Sequence, residues 1–113
     1  MAGKRKKIPK QVREAVWKRQ YGGCIACINR GTQYHHVLPV SLGGNNSLPN
    51  IVLLCEQHHS LLHLGDLDTV LTILEYGYYL KNGELPTDIE QLKDLAEKIK
   101  KEHLSKSYEE LKK

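Results

Sequence analysis

YHHVLPVSLGGNNSLPNIVLLCEQHHSLLH, residues 34–63, is the stretch on which the reading of this chain turns. Five of the six histidines fall inside it, in two tight groups: His35 with His36, then His58, His59 and His63 beside Cys55. A further pair, Cys24 and Cys27, lies just upstream. Imidazole nitrogen and thiolate sulfur at this density are metal-ligand chemistry. There are more of them than one tetrahedral ion can use, so the stretch predicts two metals.

Spacing sorts the ligands. Cys24, Cys27, Cys55 and His58 form C-x2-C-x27-C-x2-H, a Cys3His set suited to a closed structural zinc site. His59 and His63 are four apart, so a helix places both on one face, while His58 is turned about 100° away from His59. One helix would then serve both metals, His58 toward the knuckle and His59 with His63 toward the strand carrying His35 and His36. A finger-like assignment of Cys24 and Cys27 to His59 and His63 leaves Cys55 and His58 idle, with an interval far longer than fingers use. Adjacent residues on a regular strand face opposite ways. His35 and His36 therefore reach one site only if the backbone bends or one lies at the edge of the shell. The alternative is one functional and one surface histidine.

The surroundings of the stretch fix the fold class. Tyr34–Val37 and Asn50–Leu54 read as short strands, separated by the turn-forming loop Ser41–Ser47. Glu56–Gly65 reads as a helix with Leu61, Leu62 and Leu64 available to a core. Upstream, Pro9 suits a helix start, and Val12, Ala15, Val16 and Arg19 recur at helical spacing up to Gly22-Gly23. Trp17 is expected to anchor that helix. Downstream, Leu67, Val70, Leu71 and Leu74 mark a helix ending near Asn82-Gly83. Thr87-Asp-Ile-Glu90 reads as a capping box for a second, with Leu92, Leu95, Ala96 and Ile99 inward and Ser105–Lys113 fraying. Tyr76, Tyr78 and Tyr79 are expected in the core. The class is α+β: residues 1–8 a flexible basic arm, 9–65 the metal-bearing domain, 66–113 a helical extension packed on it.

Composition limits the function classes. The chain has 113 residues, 40% hydrophobic and 27% charged, with a mean hydropathy of -0.50. This suits one small soluble domain with no apolar run near the ~20 residues of a membrane span. The basic N-terminus lacks the apolar segment of a signal peptide, and three cysteines arranged as CxxC plus one suit metal in a reducing compartment. The expected location is cytoplasmic. Residues 1–65 hold nine Lys or Arg against two acids, and residues 66–113 hold eight against eleven. Positive charge therefore sits with the metal ligands, as a phosphate-backbone binder requires. Lys4, Arg5, Lys6, Lys7, Lys10, Arg13, Lys18 and Arg19 are the candidate DNA contacts.

From Cys24 to His63 the chain resembles the HNH endonuclease family, whose ββα-metal (His-Me finger) motif reads HH, Gly-rich loop, N, C-x2-C-H, x3, H. The HHV-P, S-GG, N-IVLLC and HH-x3-H elements fall in the family's order. One departure is His58, where zinc-knuckle members usually carry cysteine. The resemblance implies His36 as general base and Asn50 as the residue that holds the loop and orients it. It implies His35, His59 and His63 as ligands of one catalytic divalent ion. A site without carboxylates favours Mn2+, Ni2+, Co2+ or Zn2+ over Mg2+, though binding best need not mean turning over fastest. The implied activity is metal-dependent hydrolysis of DNA phosphodiesters, nicking one strand per active site and leaving 5′-phosphate and 3′-OH. The implied setting is a phage or bacterial cytoplasm, with DNA as partner, no membrane, a monomer or homodimer, and other DNA-processing proteins as possible associates. The competing reading is a zinc-stabilised DNA-binding module without catalysis.

Overall fold

The computed structural model describes residues 7–112, with side chains described through residue 105. Lys4, Arg5 and Lys6 of the expected basic arm lie outside the described residues. The elements are α1 (Lys10–Gln20), β1 (Gln33–His36), β2 (Ile51–Leu54), α2 (Glu56–His63), α3 (Leu67–Asn82) and α4 (Ile89–Lys112). Short 3-10 turns at Val40–Leu42 and Leu48–Asn50 interrupt the β1–β2 connection.

The two strands pair antiparallel, His35 opposite Val52 and His36 opposite Ile51. All four residues of β2 are buried, because both faces of this ribbon are covered. Ile51 and Leu53 pack with Val16 under α1. Val52 and Leu54 point the other way, into a cluster with Leu62, Val70, Ile73, Leu74, Ala96 and Ile99 from α2, α3 and α4. Period-2 alternation thus sends one strand into two cores. At a rough 1.5–3 kcal/mol per fully buried aliphatic side chain, those contacts dominate what holds the ribbon.

A two-stranded ribbon leaves strand edges to satisfy, and the end of α1 does so for β2. Gln20 accepts from the Leu53 amide at 2.9 Å, and its Nε2 donates to the Leu53 carbonyl at 2.9 Å. The Arg19 guanidinium donates to the carbonyls of Leu48 and Ile51. Trp17 is half exposed, with its ring lying against Gly22.

Several boundaries differ from the sequence expectation. Strand β1 starts at Gln33 and ends at His36: the Val37 amide still bonds the Asn50 carbonyl, but the Asn50 amide turns back to the Ser47 carbonyl, so that rung is not returned. Helix α4 is capped one residue late: Asp88, not Thr87, accepts from the Gln91 amide at 3.0 Å. Its backbone stays helical to Lys112, where fraying was expected; the Lys, Glu and Leu of that end are good helix formers. Leu64 is exposed, because α2 ends at His63 and Gly65 turns left-handed. Tyr78 and Tyr79 are also exposed. The buried line of α3 runs through Val70, Ile73, Leu74 and Gly77, and Gly77 lies so close to Val37 that a methyl there would meet Val37 Cγ1 at 2.6 Å. The tyrosines flank that line.

Candidate metal centres

The knuckle is a tight loop closed by its own backbone. The Cys24 amide donates to the Asn29 carbonyl at 2.8 Å, and the Ile25 amide ties the loop to Leu53 at 3.0 Å. Inside the loop the Ala26 amide points at Cys24 Sγ (3.3 Å) and the Asn29 amide at Cys27 Sγ (3.4 Å). Cys55 directly follows β2 and caps α2, its sulfur accepting from the His58 amide. That cap brings strand end and helix start to the knuckle together.

Cys24, Cys27, Cys55 and His58 place one ligand atom each within 4.8 Å of one another. Cys27 Sγ and Cys55 Sγ are 3.7 Å apart, and His58 Nδ1 is 3.3 Å from Cys55 Sγ and 3.9 Å from Cys24 Sγ. Zinc–sulfur bonds of about 2.3 Å at tetrahedral angles put sulfurs roughly 3.7–3.8 Å apart, so the spacing fits a zinc ion. All three cysteines are free, and 3.7 Å is far beyond a disulfide bond.

The electrostatics favour a cation there. Burial pushes the Cys55 thiol up, but bonds from the His58 amide and ring, and from Cys27 and Cys24, outweigh it and bring the thiol down to about 6. Cys27 goes the other way. Although the Asn29 amide favours its thiolate, desolvation and the neighbouring Cys55 and Cys24 sulfurs raise it. One sulfur ionises readily and suppresses the next, so three thiolates require a positive ion among them.

On the opposite side of α2 the remaining histidines meet. His59 Nε2 and His63 Nε2 are 3.1 Å apart. The His35 ring reaches over from β1, its centroid 5.7 Å from that of His59 and 5.8 Å from that of His63. His35 Nε2 is buried and has no hydrogen-bond partner. A buried imidazole nitrogen without a partner thus lies beside two other imidazole rings. Burial first, then the charges of His103, His59, His63 and His36, lower the His35 pKa to about 3, and burial followed by His63 lowers that of His59. Both rings therefore keep lone pairs free for a metal at neutral pH.

His36 does not join this group. It lies one residue along a regular strand, so it faces the α1 side with Tyr34, and its Nε2 is 2.8 Å from Asn46 Oδ1. Asn46 Nδ2 donates to the Lys7 carbonyl at 3.1 Å, which fixes the amide orientation and makes His36 the donor. Nε2 thus carries the proton and Nδ1 the lone pair. Asn50 holds the loop beneath: its Oδ1 accepts from the Leu38 amide at 2.8 Å, and its Nδ2 donates to the carbonyls of Leu38 (3.1 Å) and Asn45 (2.8 Å). Gly44 packs so tightly on the Leu38 carbonyl that no side chain fits there.

Lys7, Lys10, Arg13 and Lys18 are exposed, the last three along α1 beside Trp17 and Tyr34. Arg19 is different, its two terminal nitrogens being spent on the Leu48 and Ile51 carbonyls. Two residues were missed by sequence reasoning, Asn46 and His103. His103, on α4, is buried with its ring 5.4 Å from those of both His35 and His63. Its signal was its position in line with Ala96 and Ile99 on the inner face of α4.

The chain is thus a small α+β protein with four α-helices and a two-stranded antiparallel sheet among the described residues. It carries a Cys3His group able to hold a metal ion such as zinc. No helix among the described residues is long and apolar enough to cross a membrane. No family model and no solved structure matches the chain. A stretch of 46 residues, 39% of the chain, is 35% identical to Anaredoxin from Nostoc sp. (strain PCC 7120 / SAG 25.82 / UTEX 2576) and spans 60% of that protein's length.

Proposed function

We propose that this protein is a metal-dependent DNA endonuclease of the HNH type, nicking one strand per active site. The observation that carries the reading is the convergence of His35 from β1 with His59 and His63 from α2 around the unpartnered His35 Nε2. His36, Asn50 and the hairpin-then-helix order support it. A divalent ion held by these three imidazoles would supply Lewis-acid stabilisation of the crowded phosphate and the departing 3′ oxygen.

This chain's own residues would do the rest. His36 Nδ1 takes a proton from the attacking water, with Nε2 anchored to Asn46 so that the ring cannot present the wrong nitrogen. His36 is the last paired residue of β1, so a phosphate lying across the end of the ribbon would meet both strand faces. Asn50 keeps the loop that carries Asn46 in place. Lys10, Arg13 and Lys18 offer charge to the phosphate backbone along α1. Products are a 5′-phosphate and a 3′-OH. The Cys3His zinc has no part in the chemistry and holds the strand end, α2 and the knuckle in register.

The test is supercoiled plasmid incubated with wild type and His36→Ala across Mg2+, Mn2+, Co2+, Ni2+ and Zn2+. Wild type is expected to convert plasmid to the open-circular form, and His36→Ala to be slower by a factor of about 100 or more. Wild type inert under every metal would remove the nuclease reading and leave the zinc-stabilised DNA-binding module. Equal cutting by His36→Ala would remove the base assignment.

A further inference from the structure

Trp17 is the only tryptophan of the chain, and neither metal centre uses it. It stands on α1 with half its surface exposed, while its neighbour Val16 is fully buried beneath the helix. Gly22 backs part of the ring: a Cβ there would meet Cζ2, Cε2 and Nε1 at 2.8, 2.9 and 3.1 Å. The Gly22 amide donates to the Trp17 carbonyl at 2.9 Å, and the Gly22 carbonyl accepts from the Gly31 amide at 2.8 Å, so that backing is fixed. The exposed part of the indole lines a groove of about 430 Å3 between α1 and β1, within the range of small-molecule clefts, roughly 300–1,000 Å3. Tyr34 of β1 supplies a second aromatic ring, and Lys10, Arg13 and Lys18 supply positive charge. Glu14 is the one acid there, with Lys10 at 3.9 Å.

The same surface carries His36. Tyr34 and His36 pair with Leu53 and Ile51, which both belong to the core under α1. Alternate residues of a strand point the same way and lie roughly 6.6 Å apart. His36 is also tied through Asn46 to the Lys7 carbonyl, just ahead of α1. The groove and His36 are therefore neighbours, separated by about the reach of one nucleotide of unstacked strand.

We propose that Trp17 and Tyr34 hold an unpaired nucleobase, so that the preferred ligand of this face is single-stranded DNA with its phosphates along Lys10, Arg13 and Lys18. This rests on the DNA reading above but not on the catalytic ion. Inside a duplex both faces of a nucleobase are already stacked, and an indole on a helix flank covers one only after that nucleobase has left its neighbours. An aromatic platform in a positively charged groove suits any sequence, since every nucleobase has a π face. Charge disfavours the chain's own N-terminus as the occupant: residues 1–7 carry four cations and no acid.

Trp17 is its own reporter, because no other tryptophan contributes to the emission. Zinc-loaded full-length protein, without added catalytic metal, is titrated with a short oligonucleotide as single strand, as duplex, and as the same sugar–phosphate chain lacking nucleobases. The single strand should quench the emission and bind about tenfold tighter than the duplex. The abasic chain should bind more weakly than the normal strand and leave the emission unchanged; this comparison uses wild type alone. By anisotropy of labelled DNA, Trp17→Leu should weaken single-strand binding by about five- to a hundredfold, and Trp17→Phe should recover most of it. Duplex binding within about twofold of wild type shows that each variant is folded. Equal single-strand affinity in Trp17→Leu and wild type, or equal affinity of normal and abasic chains, would overturn the stacking site and leave backbone binding standing. Emission that saturates with protein concentration before DNA is added would assign the groove to a second copy and overturn it as well. No binding of any form would remove this inference and the DNA reading together.

Discussion

The Nε2–H of His36 donates to Asn46 Oδ1 at 2.8 Å, and Asn46 in turn is held by the Lys7 carbonyl. A base that must present one particular nitrogen needs its other nitrogen occupied. Asn46→Ala frees the ring to rotate and change tautomer without touching the metal ligands. Plasmid nicking should fall about tenfold, less than in His36→Ala, because the base is still present. The loss should appear in the rate at saturating DNA rather than in the DNA concentration needed. A loss confined to DNA affinity would place Asn46 in binding instead.

Cys27 and Cys55 approach to 3.7 Å where the end of the strand meets the knuckle, a spacing that suits a shared zinc ion. Structural zinc contributes on the order of 10 kcal/mol or more in small metal-dependent folds. That equals or exceeds the whole stability of a typical domain, roughly 5–15 kcal/mol. Cys55→Ser should lose stoichiometric zinc by elemental analysis and show no cooperative thermal transition. Retained zinc with an unchanged melting temperature would dismiss the knuckle as a stabilising site.

Acid should destabilise the fold through His35. Its pKa is lowered to about 3 in the fold by burial and the surrounding histidines, against about 6.5 when unfolded. Between those values the unfolded chain takes up a proton that the folded chain refuses. The contribution is therefore complete above pH 6.5 and is lost as pH falls toward 3, with a slope of up to about 1.4 kcal/mol per pH unit. A cation on His35 acts in the same direction. Chemical denaturation between pH 6.5 and 4.5 should show a shallower decline in His35→Phe than in wild type. Parallel declines would mean that His35 is not the buried neutral base described.

The exposed cations of α1 give a prediction in salt. Each phosphate contact contributes about 0.9 to the slope of log affinity against log salt on duplex DNA. Replacing Lys10, Arg13 and Lys18 together with alanine should lower that slope by roughly two to three. The 3.9 Å pair between Lys10 and Glu14 is exposed and holds little back. Arg19→Ala should instead register as lost stability, since its guanidinium bonds the Leu48 and Ile51 carbonyls. An unchanged slope in the triple variant would move the DNA path off α1.

Ligand spacing made the Cys3His group legible, because Cys-x2-Cys and Cys-x2-His are local geometries that few folds rearrange. Strand alternation raised the question of His35 against His36 and left it open, because a bend or a bulge in so short a strand would bring both to one side. The spacing of His103 from Ala96 and Ile99 places it on the inner face of α4, but a lone histidine in a Glu- and Lys-rich helix carries no ligand spacing that ties it to the other histidines. Only the packing of α4 against Gly65 and, through Ile99, into the larger core brings it to the cluster. Asn46 looked like a turn former among turn formers, and its partnership with His36 depends on how the loop folds back. Tyr78 and Tyr79 lie outside the core because Gly77 takes the buried line of α3 between them and Leu74.

Gly77 and Val37 supply the last prediction, since their contact joins α3 to the residue following His36. Alanine is a better helix former than glycine by about 1 kcal/mol, so propensity alone favours Gly77→Ala. Its methyl, however, would lie 2.6 Å from Val37 Cγ1, and overpacking of this kind costs roughly 1–3 kcal/mol. The single variant should therefore be less stable than wild type, by up to about 2 kcal/mol. Trimming the opposing side chain removes the overlap, so Gly77→Ala combined with Val37→Ala should be more stable than the sum of the two single effects predicts. The double-mutant cycle in urea measures that coupling directly. Strict additivity would show that α3 shifts to admit the methyl, and that the spacing between this helix and β1 is not set by Gly77.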